Sequence, residues 1–188
     1  MRHRLAIVAA AALLAGAWAY RAVALPKAVT IGFDGSGAPV MGDIRAIVAD
    51  LVLDIDLRDH GGFFLSNGIV GHADLLAMFQ IESRFDPAAI NFNDGGAGNH
   101  AYGIGQMLAT TAADVGITNP NDLLNVETGV GATLKYMRWI YDFLTPRLGR
   151  APSNREWVGA YNIGIGNVLN GNLPSAYLTK HAAAKLAL

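Results

Sequence analysis

At 188 residues the chain has room for one compact domain and a short appendage, and two large domains are excluded. Its 52% hydrophobic and 15% charged residues exclude a disordered chain, and a formal net charge of −1 removes the electrostatic capture on which a nucleic-acid binder depends. Cysteine is absent, which excludes disulfide frameworks, thiolate metal sites and thiol nucleophiles while leaving the compartment open.

Arg2, His3 and Arg4 precede a weakly apolar run from Leu5 to Ala19, the pattern of an export signal. The run is shorter than the roughly 20 residues a stable span needs. Small residues at Ala17 and Ala19, and at Ala22 and Ala24, offer signal-peptidase sites, with cleavage near residue 24 the first choice. Tyr20 and Arg21 are bulky for a cleavage region and Trp18 suits a membrane interface, so a retained anchor through residues 5–19 stays open. Residues 1–24 therefore read as a signal peptide or membrane anchor, and the protein as exported. Residues 25–42, with Pro26, Pro39 and several glycines, read as a linker or irregular segment without a function of its own.

The compact domain is expected over 43–188. Asp43 reads as a helix N-cap, followed by Ile44, Ile47, Val48, Leu51, Val52 and Ile55 at three-and-four spacing. Asp59 to Gly62 ends that helix. His72 to Arg84 forms the next, with Leu75, Leu76, Phe79 and Glu82 on one side, so a carboxylate shares a face with core residues. Asn91 to Tyr102 is rich in glycine and asparagine and reads as a loop, its glycines suiting a lid. Gly103 to Val115 reads as a short helix and Asn119-Pro120-Asn121 as a turn. Val126–Leu144, Glu156–Asn170 and Ser175–Leu186 complete the helical set. Few segments alternate at period two, so the fold class is mainly α, a globule of six or seven short helices.

Three separated blocks carry the chemistry. Glu82-Ser83-Arg84-Phe85-Asp86-Pro87-Ala88-Ala89 is followed by Gly103-Ile104-Gly105-Gln106-Met107, and then by Ala160-Tyr161-Asn162-Ile163-Gly164. Together they resemble the lytic transglycosylase domain of the goose-type-lysozyme-like superfamily, whose blocks read roughly E-S-x-F-x-P-x-A, G-L-M-Q-x-M-P-x-T-A and A-Y-N-x-G. Asn125 to Gly129, with Tyr136 and Met137, is similar to the family's N-I-x-x-G…Y-L helix, so the resemblance covers about residues 70 to 180. It implies a lysozyme-like helical domain with a cleft, acting on peptidoglycan glycan strands.

Cleaving a glycosidic bond needs an acid to protonate the departing oxygen, and usually a second carboxylate as nucleophile or water activator. Glu82 is the candidate acid. Its place on the apolar side of a helix, near the negative end, is expected to disfavour ionisation and keep it a proton donor. No partner carboxylate stands out. Asp86 precedes Pro87 and reads as a helix-terminating turn, Asp94 sits in the loop, and Glu127 at a helix start suits the dipole. A lone acid agrees with what the resemblance implies: one glutamate protonates the leaving oxygen, then accepts the proton of the sugar's own C6 hydroxyl, with help from the neighbouring N-acetyl group. The product is a 1,6-anhydro-muramoyl end.

The resemblance further implies substrate contacts from Gln106 in the G-x-x-Q block, from Tyr161 and Asn162 on the cleft floor, and from Tyr177, similar to a tyrosine that approaches the acid. Ser83 is a substrate-binding candidate whose alternative is ordering the helix end. No serine stands in the loop where relatives hold the acetamido group, so Asn91, Asn93 or Asn99 are substitute donors, with Asn99 the candidate carried forward. The chain departs from the family pattern at Ala109, usually proline, at Leu108, often methionine, and at Gly105, usually bulkier. His60, His72, His100 and His181 lack ligand spacing, so neither a metal nor another cofactor is expected.

The leading expectation is a peptidoglycan lytic transglycosylase cutting the β-1,4 bond between N-acetylmuramic acid and N-acetylglucosamine. A hydrolytic muramidase of the same fold and an inactive wall-binding or assembly component remain alternatives. The expected location is periplasmic or membrane-anchored facing the wall, with a virion-associated or larger envelope assembly role left open.

Overall fold

The computed structural model describes residues 41–92 and 98–188. The expected signal or anchor and nearly all of the expected linker lie outside the described residues, as do Asn93 and Asp94. Residues from Ile44 to Leu188 form one compact unit. Among the described residues no helix is long and apolar enough to cross a membrane.

Helix α1 (Met41–Asp59) already includes Asp43, so that residue lies inside the helix and does not cap it. Val48, Val52 and Ile55 are buried, as their spacing requires. A short helix α2 (Phe63–Ser66) follows. Buried Asp56 ties the region together: it accepts the Phe64 and Leu65 N–H groups at 3.1 and 2.9 Å, and His72 Nε2 stands 2.8 Å away. Orphan donors at the start of α2 thus gain a carboxylate acceptor.

Helix α3 (His72–Glu82) ends two residues short of the expected Arg84. The reason is the backbone beyond it: Arg84 and Phe85 have φ of 59° and 65°. Two consecutive non-glycine residues in the left-handed region cost of order 1 kcal/mol or more each. The fold holds them there by burying the Phe85 ring and by a 3.2 Å hydrogen bond from its N–H to the Phe79 carbonyl.

The segment expected as a helix from Gly103 opens instead with a turn and the two-residue strand Met107–Leu108 before its helix begins. Strands β1 (Ile90–Asn91), β2 (Ala101–Tyr102) and β3 (Met107–Leu108) form an antiparallel sheet in that order, pairing Ile90 with Tyr102 and Tyr102 with Met107. The ends of the expected loop are therefore paired backbone. Gly103, at φ 70°, starts the β2–β3 turn, and a Cβ there would fall on the Leu123 carbonyl. Only then comes helix α4 (Ala109–Asp114). The expected turn at Asn119 opens a 3-10 helix (Pro120–Leu124), capped by the Asn119 side chain.

Helix α5 (Val126–Leu148) runs through the core, burying Val130, Leu134, Met137, Ile140 and Leu144, and continues past the expected Leu144. Glu127 lies in its first turn, where a negative charge suits the dipole. The single helix expected over Glu156–Asn170 is two: α6 (Asn154–Ile163) and α7 (Ile165–Leu169), separated by Gly164 at φ 82°. Helix α6 begins earlier than expected because Ser153 and Glu156 form a capping box. Its Trp157 is fully buried and donates to the Met137 carbonyl at 2.7 Å.

Helix α8 (Ser175–Leu186) matches its expected limits and lies against α3. A buried polar cluster joins the two. Lys185 Nζ stands 2.8 Å from both carboxylate oxygens of Asp74, Asn154 Nδ2 donates to Asp74 Oδ1 at 3.0 Å, and the Gly71 N–H donates to Oδ2. Buried His181 places Nε2 3.0 Å from the Asp74 carbonyl, so that nitrogen carries the proton. Burial pushes the Asp74 carboxyl up, but Lys185, Gly71 and Asn154 outweigh it and hold it below its ordinary value.

Candidate active site

Glu82 is the last residue of α3, half-buried at the point where the strained turn carries the chain away. It lines a cleft with Gln106, Leu108, Tyr136, Tyr161 and Asn162; Met107 and Thr111 complete the wall. Residues from the helix end, the β2–β3 turn, α4, α5 and α6 thus converge on one carboxylate. Tyr177, reaching in from α8, donates its hydroxyl to Glu82 Oε1 at 2.5 Å, a charge-assisted distance. Burial first, then the Glu82 charge, push the Tyr177 hydroxyl far up, so it keeps its proton and can donate it in the hydrogen bond to Glu82.

Tyr161 donates its hydroxyl to the Gly105 carbonyl at 2.6 Å, which fixes the ring over the β2–β3 turn. Burial and the Glu82 charge push this hydroxyl up as well. Gly105 has no side chain because there is no room for one: a Cβ would collide with Thr133 Oγ1 and stand 2.9 Å from Tyr161 Oη. Thr133 of α5, which sequence reasoning missed, occupies the space that a side chain at position 105 would need. Gln106 adopts φ 47° and spends its amide nitrogen on the Gly103 and Ala89 carbonyls, at 2.9 and 3.2 Å. Its carbonyl oxygen is the atom it can turn to the cleft.

Two candidates take other places. Ser83 Oγ donates to the Ile104 carbonyl at 2.9 Å and lies 3.3 Å from the Phe79 carbonyl, tying the end of α3 to the β2–β3 turn. Asn99 Oδ1 accepts the Thr110 N–H at 3.0 Å and so serves the first turn of α4, where Leu108 stands at the N-cap position with no side-chain oxygen. Asn99 is not among the residues lining the cleft. Tyr136 and Leu108, cleft-lining yet unassigned from sequence, carried only the signal of a helix face and of a family block. Asp86 Oδ1 accepts the Ala88 N–H at 2.9 Å, a local turn.

A larger hollow of about 650 Å³ lies behind α5. Arg58 there is shared among Asp54, Asp59 and Glu127, and Lys135 donates to the Val115 carbonyl, so its cations are already engaged. The residues of the three sequence blocks, Glu82, Gln106, Tyr161 and Asn162, line the smaller cleft instead. Among the described residues no group of three or more His, Asp or Glu side chains is placed to hold a metal ion.

The family model described as the Transglycosylase SLT domain matches residues 70–178, more than half of the chain. The chain belongs to that transglycosylase family. Comparison with curated proteins and with solved structures returned no match. The SLT match opens beside α3 and closes one residue after Tyr177, so it contains both the carboxylate and its hydroxyl donor. The SLT domain is lysozyme-like and mainly helical, as expected from the three blocks.

Proposed function

We propose that the protein is an exported peptidoglycan lytic transglycosylase that cuts the β-1,4 bond between N-acetylmuramic acid and N-acetylglucosamine. The observation that carries this reading is Glu82: among the described residues lining the cleft it is the one carboxylate, and a tyrosine hydroxyl is aimed at it. Enzymes using two carboxylates need the second roughly 5–10 Å from the first. A single carboxyl suits a cycle that needs no held water.

In that cycle the Glu82 carboxyl gives its proton to the glycosidic oxygen as the bond from that oxygen to C1 breaks, and positive charge spreads over C1 and the ring oxygen. The N-acetyl carbonyl of the same sugar shields the developing charge. The Glu82 carboxylate then takes the proton of the C6 hydroxyl while O6 bonds to C1, closing the 1,6-anhydro ring. Protons balance, no water enters, and the acid is reset. Tyr177 holds the carboxylate in its rotamer between the two transfers, and Tyr161, Asn162 and Gln106 form the surface against which the sugar rests. The basic residues Arg2 and Arg4 ahead of the apolar run Leu5 to Ala19, read as an export signal, support delivery to the wall.

The test is mass spectrometry of fragments released from purified sacculi. Anhydro ends, one water lighter than reducing ends, are expected from the wild type and none from Glu82→Gln at equal thermal stability. Reducing ends would make the protein a muramidase, and no release with retained binding a wall-binding component.

A further inference from the structure

Trp139 is 44% exposed, although the buried face of α5 is fully supplied by Val130, Leu134, Met137, Ile140 and Leu144. Core packing does not require a tryptophan there. Its ring lies parallel to that of Tyr136, with centroids 5.5 Å apart and planes at 16°. Tyr136 lines the cleft and touches Tyr161, at 5.8 Å between centroids. Trp139 also meets Phe143 at 5.2 Å with the planes tilted at 40°, and the Arg147 guanidinium covers Phe143 at 3.3 Å from its centroid. The rings are thus continuous from beside the catalytic carboxylate to the solvent-facing side of α5. Spacings of three and four residues put them on one stripe, rising about 10 Å from Tyr136 to Phe143.

A β-linked pyranose carries its hydroxyls around the ring edge and leaves two flat faces of C–H bonds. Such a face packs on an aromatic plane with little polar desolvation. An isolated exposed tryptophan would say nothing about a ligand, but one stacked on a cleft-lining tyrosine continues a surface that already faces sugar. We propose that the Tyr136–Trp139–Phe143 stripe is a subsite track for the glycan strand beyond the scissile bond, with Trp139 as the platform for one saccharide ring. This rests on the assignment of the cleft to peptidoglycan cleavage. The track makes the enzyme prefer long strands, because units far from the bond add binding that short fragments cannot reach.

The test compares wild type, Trp139→Ala and Trp139→Tyr on purified glycan strands and on the shortest fragment cleaved. Trp139→Ala is expected to raise KM for long strands about tenfold while kcat changes less than twofold, to leave the preference for long strands abolished, and to be largely rescued by Trp139→Tyr. An unchanged length preference in Trp139→Ala overturns the track. Fluorescence of Glu82→Gln titrated with glycan strands gives an independent readout, since of the three tryptophans, Trp18, Trp139 and Trp157, the last is fully buried. Quenching that disappears in Glu82→Gln/Trp139→Ala supports the track even if the wild type cleaves nothing, which would sink only the proposed activity. No Trp139-dependent quenching overturns it.

Discussion

Lys185 and Asp74 are 111 positions apart in sequence, yet Lys185 Nζ sits 2.8 Å from each Asp74 carboxylate oxygen and clamps α8 onto α3. The same two helices carry Tyr177 and Glu82. The clamp therefore helps to hold together the two helices that bring Tyr177 to Glu82, without touching either residue. Asp74→Asn is expected to cost about 2 kcal/mol, below the usual cost of a broken buried pair because Lys185 is 43% exposed and its charge can return to water. The thermal midpoint should fall roughly 5 °C at pH 7, with a proportionate loss of activity.

Acid should destabilise the fold in two stages. Burial holds His181 and His60 below their ordinary value of 6.5, so the folded chain takes up these protons less readily than the unfolded chain does. Stability then falls as pH drops below about 6.5. Asp74 is held below its ordinary 3.8, and Arg150 with the Ser153 groups brings Glu156 from 4.5 to about 2. Their contributions are complete above those ordinary values and disappear as pH falls toward 2. Thermal midpoints from pH 7.5 to 2.5 should show both limbs; His181→Gln should flatten the first, and a single transition starting at 4.5 would contradict the assignment.

Tyr177→Phe keeps the ring and removes the hydroxyl that reaches Glu82 at 2.5 Å. A hydrogen bond to a charged group contributes about 1.5–3 kcal/mol, so kcat should fall roughly 10- to 100-fold with KM little changed. A variant with wild-type kcat would show that the Tyr177 hydroxyl is not what positions the carboxyl.

Gly105→Ala should be severe, because the new methyl group meets Thr133 Oγ1 and the Tyr161 hydroxyl at once. Overpacking of this kind costs about 1–3 kcal/mol. Thr133→Ala removes the oxygen in the way, so the double variant should recover part of the loss in a thermal-shift double-mutant cycle. Strict additivity would mean that the two positions do not share the space.

Arg84 offers a test of backbone strain at the site. With φ at 59°, Arg84→Gly should be near neutral, relief of strain offsetting the entropy of a freer unfolded chain. Arg84→Val should cost about 1–2 kcal/mol, since a β-branched residue tolerates that region worst. Urea titration separates the two.

The long periodic helices were legible because apolar residues at three-and-four spacing survive any tertiary context, as at α1, α5 and α8. The sheet was not, because strands of two residues carry no period, and the glycines around them read as loop. Gly164 lay inside an apolar pattern that continues on both sides, so nothing but its own φ reveals the break. Glu82, Gln106, Tyr161 and Asn162 converge on one cleft from blocks visible in the chain. Asn99 looked like a ligand donor because its neighbourhood was loop; the need of α4 for a capping oxygen, which Leu108 cannot supply, became visible only once the start of α4 was placed. Thr133 and Trp139 differ in kind: one is hidden under Gly105, the other left in water, and a helical wheel does not distinguish a residue facing a cleft from one facing solvent.

The acid and its donor are 95 residues apart along the chain, so Glu82 meets Tyr177 only when α8 has docked. A half-folded molecule holds a carboxyl without its hydroxyl, and a chain truncated before Ser175 never acquires one. On the proposed reading the fold itself acts as a brake: until α8 is seated the carboxyl lacks its hydroxyl donor, and the rate rises to its full value in the finished molecule alone.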